Sequence, residues 1–471
     1  MGKLTVAKFG GSAIGVDGSS IPTIIKRINK LRENGKVIAV FSAPLTMSND
    51  KKISITDIIL DLGKKSADGQ DIDLGKIQNC YNKILEIITT ENKDESTKIL
   101  ESMLSKMRES LNDAKSKHEF IDETRAKSLA YGGEILMSNI MSLILKSHEI
   151  KSEAIELENW PIVTDDNIES TNFLFSESNE KVAFLENLVN QNDVVTIGGF
   201  IGKTSDGIVT TYERGGSDRT AADLGILFNK KFDTMIDLEK DSVVVSADPK
   251  IVDEGLEQVQ QLSYNEARLA GMFGMKILDP IAIKEILENG LDLSISITDM
   301  YHPDKVTKIQ RKTDNKNGHP LKIVTGKNNC SIIRMENSMA QNLLKSLESE
   351  KRYSEFIILS PFTKDGIEFS RILFLDGDYV KRNEKYLLSF DSLATIAYNR
   401  GVITLIGDEM WRVQQIASKA SSKIGEAGLN ILNMDAQEET SRIVIVVEDA
   451  DDNVAKAIIA IHSERSKIKF I

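Results

Sequence analysis

The stretch Arg214-Gly215-Gly216-Ser217-Asp218-Arg219-Thr220-Ala221-Ala222 gathers residue types that hold anions. It follows Gly198-Gly199-Phe200-Ile201-Gly202 and precedes the apolar run Leu224 to Phe228. Adjacent glycines let a backbone approach a ligand closely and take a positive φ. Ser217 or Asp218 can cap a helix over Thr220 to Phe228. The N-terminus of that helix would turn N–H groups and partial positive charge toward whatever lies above it. Arg214 offers a planar fork for a carboxylate or phosphate. An anion-binding corner and a capped surface turn both fit this stretch alone. Lys8 raises a parallel question, because it ends the apolar run Leu4 to Phe9 and is followed at once by Gly10-Gly11-Ser12. Glu134, in Ser128-Leu129-Ala130-Tyr131-Gly132-Gly133-Glu134, sits in the first turn of a helix predicted over Ile135 to Leu145. It either complements the helix dipole there or receives a ligand's ammonium group.

These groups need a scaffold, and the periodicity supplies one. Leu4 to Phe9 reads as a strand, Ile21 to Asn34 as a helix, and Lys36 to Phe41 as a continuous buried strand. In open parallel sheets ligands bind at the carboxyl ends of strands, so Lys8 is placed to meet an anion; a solvated strand-end lysine is the plain alternative. Ser42-Ala43-Pro44 closes the second strand, and Thr56 opens the next helical pattern. Residues 64–127 read as a charged helical insertion. Ala154 to Leu157, Val194 to Ile197, Val243 to Val245 and Leu293 to Ile297 read as further strands, and Lys276 follows an amphipathic helix. Gly202-Lys203-Thr204 fails as the tail of a Walker A loop, because Ile197 stands where that motif needs glycine. The alternation implies an α/β sheet with helices on both faces.

Tyr301 to Pro320 reads as a polar linker. Beyond it the order is βαββαβ: Gly401 to Ile406, Trp411 to Ala427, Leu429 to Met434, Ile443 to Val447, Val454 to Ser463 and Ile468 to Ile471. That is a ferredoxin-like unit. A fainter copy runs from Ser331 to Tyr398. The expected domains are 1–305, 321–398 and 399–471. The strands Val402 to Ile406 and Ile443 to Val447 look exposed enough to need a second copy of the chain.

Composition narrows the class. The chain has 471 residues, 41% hydrophobic and 28% charged, enough for two or three globular domains. A net charge of −12 argues against nucleic acid or an anionic membrane surface as partner. Cys80 and Cys330 read as two buried thiols in a reducing compartment, and the five histidines lack ligand spacing. No secretory leader is recognised and no apolar run reads as a membrane span. A cytoplasmic protein is expected.

Four segments in order, Lys8-Phe9-Gly10-Gly11-Ser12, Ser128 through Glu134, Gly199-Phe200-Ile201-Gly202 with Arg214-Gly215-Gly216-Ser217-Asp218, and Gly274-Met275-Lys276-Ile277-Leu278-Asp279-Pro280, resemble the aspartokinases of the amino-acid kinase superfamily. The tail resembles paired ACT domains. The resemblance implies a mainly parallel sheet sandwiched by helices, followed by two ferredoxin-like ACT modules. It implies transfer of the γ-phosphoryl group of ATP, with Mg²⁺, to the β-carboxylate of L-aspartate, the opening step toward lysine, threonine and methionine. It implies that Lys8 neutralises the transferring phosphoryl group, that Gly10, Gly11 and Ser12 hold phosphate oxygens, and that Asp218 organises the centre. Ser42, Thr56, Glu134, Phe200, Arg214 and Ser217 would form the aspartate pocket. Asp237, Lys250 and Lys276 would meet the nucleotide. An amino-acid effector at the ACT modules and a homodimer or tetramer are also implied. The chain departs from the family at Asp279, where histidine is usual, and at Ile236 to Val245, where an adenine-side tyrosine is missing. Competing readings are a superfamily kinase for acetylglutamate, glutamate or a nucleoside monophosphate, and an amino-acid sensor without turnover.

Overall fold

A computed structural model describes residues 1–88, 92–213, 215–313, 319–349, 355–438 and 440–468. It divides into two compact units, Met1–Val243 with Ile281–Arg311, and Val244–Pro280 with Lys312–Ile471.

The first unit is built on apolar strands. In chain order they are β1 (Lys3–Phe9), β2 (Lys36–Phe41), β3 (Ser152–Ala154), β4 (Val194–Gly198), β5 (Asp233–Lys240), β6 (Ser294–Asp299) and β7 (Val306–Gln310). They lie in the order β7-β6-β5-β1-β2-β4-β3. All neighbours are parallel except β6 and β7. β1 and β2, almost continuously apolar and buried, occupy the centre, as expected for strands covered on both faces. Helix α1 (Ile21–Arg32) buries Ile21, Ile24, Ile25, Ile28 and Leu31, the stripe that its 3.6-residue period predicts.

The insertion is helical as expected. It comprises α2 (Ile55–Ala67), α3 (Gly75–Leu85) and α4 (Lys93–Lys117), leading into α5 (Asp122–Leu129), a π turn over Ala130–Glu134 and α6 (Ile135–Ser147). The continuous stretch Asp122–Ser147 is, against the reading from sequence, long and apolar enough to cross a membrane. It is a core element instead, with 94% of its most apolar window buried. Helix α7 (Gly216–Phe228) is buried along its whole length.

The second unit holds an antiparallel sheet of β8 (Ile323–Glu336), β9 (Phe356–Lys364), β10 (Ile367–Phe374), β11 (Thr395–Ile406), β12 (Asn433–Ala436) and β13 (Arg442–Glu448), in the order β9-β10-β8-β11-β13-β12. Two βαββαβ patterns are present, but they do not follow one another cleanly. β8 and β11 are long strands shared between both patterns. The front of β8, Ile323 to Lys327, pairs with the back of β11, Val402 to Ile406, and register shifts follow at Lys327/Cys330 and Cys330/Ile332. Leu321 and Val324 accordingly sit in one core with Ile403, Leu405, Ile445 and Ile458, whereas Ile333, Met335 and Phe374 belong to another.

Two expectations change here. Val402 to Ile406 and Ile443 to Val447 are interior strands, buried beneath α9 (Ile416–Glu426) and α10 (Asn453–His462), and the edges of the sheet are β9 and β12. Val243 to Val245 does not join the parallel sheet: Val245 bridges Gln258, and the Val244 carbonyl accepts the Val259 N–H at 2.9 Å. Ala247 and Val252 then join the core of the second module, which explains why the chain from Val244 counts with the second unit. The strand expected over Ile468 to Ile471 falls almost wholly outside the described residues. Cys80 and Cys330 are both free and buried, and burial pushes both thiols up to about 12.

Candidate active site

Lys8 lies one residue from the end of β1. It pairs in register with Leu238 of β5, and side chains of paired residues share a face. Its Nζ meets Asp218 Oδ1 at 2.7 Å, with the two side chains 13% and 9% exposed. Gly10 is small for a reason, since a Cβ there would come 3.1 Å from Lys8 Nζ, and one on Gly11 would come 2.8 Å from the Ala43 carbonyl. Gly10 is the N-cap of the short helix Gly11–Ile14, so Gly10, Gly11 and Ser12 lie beside the lysine.

Helix α7 starts earlier than its sequence suggests. Its N-cap is Gly215 at φ 97°, with no side-chain cap, and Ser217 and Asp218 fall inside the first turn. A left-handed residue that glycine tolerates begins the helix, and this frees both polar side chains for other partners. Ser217 Oγ accepts a hydrogen bond from Ser42 Oγ at 2.9 Å. Gly199 makes room, since a Cβ there would lie 2.6 Å from Ser217 Oγ. Phe200 takes φ 70°, and its N–H donates to Thr220 Oγ1 at 2.9 Å. A non-glycine residue held in this region by its surroundings is a frequent feature of ligand sites.

Below this turn Arg219 donates to Glu285 at 2.6 Å and to the Thr171 carbonyl at 3.2 Å, and it stacks over Tyr212, whose hydroxyl bonds Asp223. The start of α7 is thus braced from beneath. Arg214 lies outside the described residues.

Glu134 ends the π turn, in which the Ile135 N–H reaches back to the Ala130 carbonyl. Such turns recur at functional sites because they redirect one residue without ending the helix. The carboxylate is buried. Oε1 accepts the Ala43 N–H at 3.4 Å, and Oε2 has no hydrogen-bond partner among the described residues. Burial pushes its pKa up to about 7, opposed by its own and the Ala43 backbone N–H and by the Thr56 hydroxyl. Thr56 therefore stands beside Glu134. A buried carboxylate oxygen without a donor suits an ammonium ligand.

Asp237 does not stand with Lys8. Alternation turns it, with Glu239, to the opposite face of β5. There the Thr298 hydroxyl donates to it at 2.7 Å and Arg27 of α1 lies 3.8 Å away. Lys240 takes the face of Lys8 and Leu238. Burial and the charge of Lys8 push Lys240 down to about 8 against the pull of Asp218 and Asp241. Lys240 went unnoticed in the sequence. The signal was the two-residue period counted from Leu238, which needs the register with β1. Lys250 and Lys276 both belong to the second unit, Lys250 in the turn after Asp248 and Lys276 in the irregular stretch before Pro280.

Close-packed glycines beside Lys8, the lysines Lys8 and Lys240 about Asp218, and the buried Glu134 beside Ala43 and Thr56 are thus gathered within the first unit. The family described as the amino acid kinase family matches residues 3–297, and the chain belongs to it. Among named relatives, the aspartokinase of Rickettsia felis is 24% identical over 331 residues, covering 68% of this chain and 79% of that one. Aspartokinase 3 of Bacillus subtilis is 20% identical over 98% of both chains. The crystal structure of E. coli aspartokinase III in complex with aspartate and ADP superposes with TM-score 0.77 at 17% identity, covering 98% of this chain and 99% of that one. Clostridium acetobutylicum aspartate kinase gives 0.65 at 21% identity and the same coverage. At these identities the structural likeness establishes the fold, including the mixed C-terminal architecture.

Proposed function

We propose that the protein is an aspartate kinase that transfers the γ-phosphoryl group of ATP to the β-carboxylate of L-aspartate, giving 4-phospho-L-aspartate. The observation that carries this reading is Glu134, a buried carboxylate with one unanswered oxygen, placed with Thr56 and near Ala43. The aspartate ammonium completes it. Arg214 takes the α-carboxylate, and Ser42, Ser217 and Phe200 shape the rest of the pocket.

The reaction needs no base, because a carboxylate of pKa about 3.9 is already ionised at neutral pH. What it needs is neutralisation of two approaching anions. Lys8 exchanges part of its contact with Asp218 for phosphoryl oxygens, and Lys240 adds a second cation on the same face. Gly10, Gly11 and Ser12 leave space for the phosphates. Mg²⁺ is typically held by one or two carboxylates plus substrate phosphates; Asp218 would hold it here, and the bound ion would supply charge neutralisation for the leaving phosphates. Lys250 and Lys276 are assigned to the nucleotide from the resemblance.

The alternatives separate on the same residue. Acetylglutamate carries no ammonium and would leave Glu134 unpaired, and a sensor without turnover would bind but not react. Hydroxamate formation from aspartate, with acetylglutamate and glutamate run beside it, tests the proposal. Product from acetylglutamate alone, or none at all, would overturn it.

We further assign amino-acid effector binding to the second unit. A cavity of about 390 Å³ there is lined by Met410, Trp411, Ile416, Gln437, Ser441 and Arg442. Arg442 Nε is buried and has no hydrogen-bond partner among the described residues, which favours a carboxylate-bearing ligand. Isothermal titration with lysine, threonine and methionine tests this, and no heat from any of them would refute it. We also propose a homodimer or tetramer joined through the second unit, supported by the edge strand β9, where Ile358 is 43% exposed. A monomer in light scattering at micromolar concentration would refute it. The buried free thiols fit a cytoplasmic location.

A further inference from the structure

Tyr81 belongs to α3, in the inserted helices, and is fully buried. Its hydroxyl donates to two carbonyl oxygens at once, Gly132 at 3.2 Å and Gly133 at 3.0 Å. Both acceptors lie in the π turn whose last residue is Glu134. The turn is confined on its other sides as well. A Cβ on Gly132 would come 2.2 Å from Met107 Sδ and 2.8 Å from Ile59 Cδ1, and one on Gly133 would come 3.2 Å from Ala43 Cβ. Gly198, ending β4, runs so close that a Cβ there would lie 2.9 Å from the Glu134 backbone carbon. The π turn is therefore clamped between the end of the sheet and the insertion, and the hydroxyl is its polar hold on the insertion side. A π turn is an uncommon conformation, and an outside donor that recognises two of its successive carbonyls selects it over a regular α turn. Burial pushes the phenol well above its ordinary range, so it keeps its proton wherever the protein is folded.

We propose that Tyr81 is a positioning residue for the amino-acid substrate. Through the Gly132 and Gly133 carbonyls it fixes the π turn and hence the direction of the Glu134 carboxylate, which makes the inserted helices a working part of the aspartate pocket. This rests on the reading of Glu134 as the ammonium receptor.

The test is Tyr81→Phe in the full-length protein, a change that removes one oxygen and little volume. KM for aspartate rises roughly three- to tenfold, the scale of one hydrogen bond, while kcat and KM for ATP stay within about twofold. Ser66→Ala is the control. It removes another buried hydrogen bond of the same helices, Ser66 Oγ to the Leu111 carbonyl at 2.6 Å, and leaves the aspartate KM at the parent value. A parental aspartate KM in Tyr81→Phe overturns the proposal, and so does an equal rise in both variants. Should Tyr81→Phe fail to fold, Met107→Leu alters the group that meets Gly132 and gives the same split on a smaller scale; a parental KM there also overturns it. Calorimetry separates the two levels of the argument. A parent protein that binds no aspartate removes the ammonium reading and this proposal together, whereas parental aspartate affinity in Tyr81→Phe removes only the role of Tyr81.

Discussion

Two groups of buried charge lie one residue apart along β5, on opposite faces of one sheet. On one face Arg27 donates through Nε to both oxygens of Glu239 at 3.0 Å and through Nη2 at 2.6 Å, and Asp237 takes the Thr298 hydroxyl. On the other, Lys8 and Lys240 share the field of Asp218. The first group ties one guanidinium to Glu239 by several short contacts, with Asp237 close by. The second sets Lys8 and Lys240 about Asp218, with Asp241 also acting on Lys240, at the carboxyl ends of the strands. Charge at a strand end is therefore no sign of function by itself. A multidentate pair sealed under a helix reads as a strut, whereas lysines set singly about an aspartate beside close-packed glycines suit the anions of the proposed reaction.

The strongest way to break this contrast is Arg27→Ala. It strands two carboxylates in the interior and should cost about 3–5 kcal/mol of stability, read by urea unfolding, while activity per folded molecule changes little. A stable variant without activity would merge the two faces into one site. Lys8→Ala should do the reverse, lowering turnover on the order of 10² or more with little loss of stability. A turnover near the parent rate would make Lys8 structural.

Lys240→Met should lower turnover by roughly tenfold and also change the pH profile. Lys240 sits near 8, so it carries its charge below that pH and loses it above. Parent activity should fall as pH rises through about 8, and the variant should lack that limb. Glu134 gives the opposite limb. Its pKa near 7 means that it gains its negative charge as pH rises through 7, so the affinity for aspartate should increase over that range and become flat in Glu134→Gln. The same raised pKa makes the ligand-free protein bind more protons when folded than when unfolded, so the Glu134 contribution to stability is complete below about 4.5 and is lost as pH rises through 7. The smallest effect is expected for Asp237→Asn, where KM for ATP should move less than about twofold. A large rise would return Asp237 to the nucleotide site.

Much of this was legible from residue order alone. The alternation of apolar strands and helices located β1, β2, β4 and β6, and the glycines around Lys8 and Asp218 marked places where the backbone packs closely. What stayed hidden depended on register or on a rare turn. Asp237 and Lys240 differ by three positions, and only the pairing of Leu238 with Lys8 tells which one shares the face of Lys8. Ser217 and Asp218 read as helix caps until Gly215 at positive φ took that place. The departure of the chain at Val244 was invisible because Val243 to Val245 has the composition of a strand, although it pairs with Gln258 and Val259 and not with the strands of the first unit. The shared strands β8 and β11 were missed because each reads as the ends of two short strands.

Those shared strands also order events in time. Ile323 to Lys327 is synthesised before the whole of the first βαββαβ pattern, yet its partner, Val402 to Ile406, comes after that pattern. As the chain leaves the ribosome, an apolar strand must wait unpaired until the intervening module has formed and brought its mate alongside. Closing so long a loop is slow, and a waiting strand can pair with its counterpart on a neighbouring nascent chain. Expression at high rates should therefore yield exchanged, intertwined chains before it yields unfolded ones.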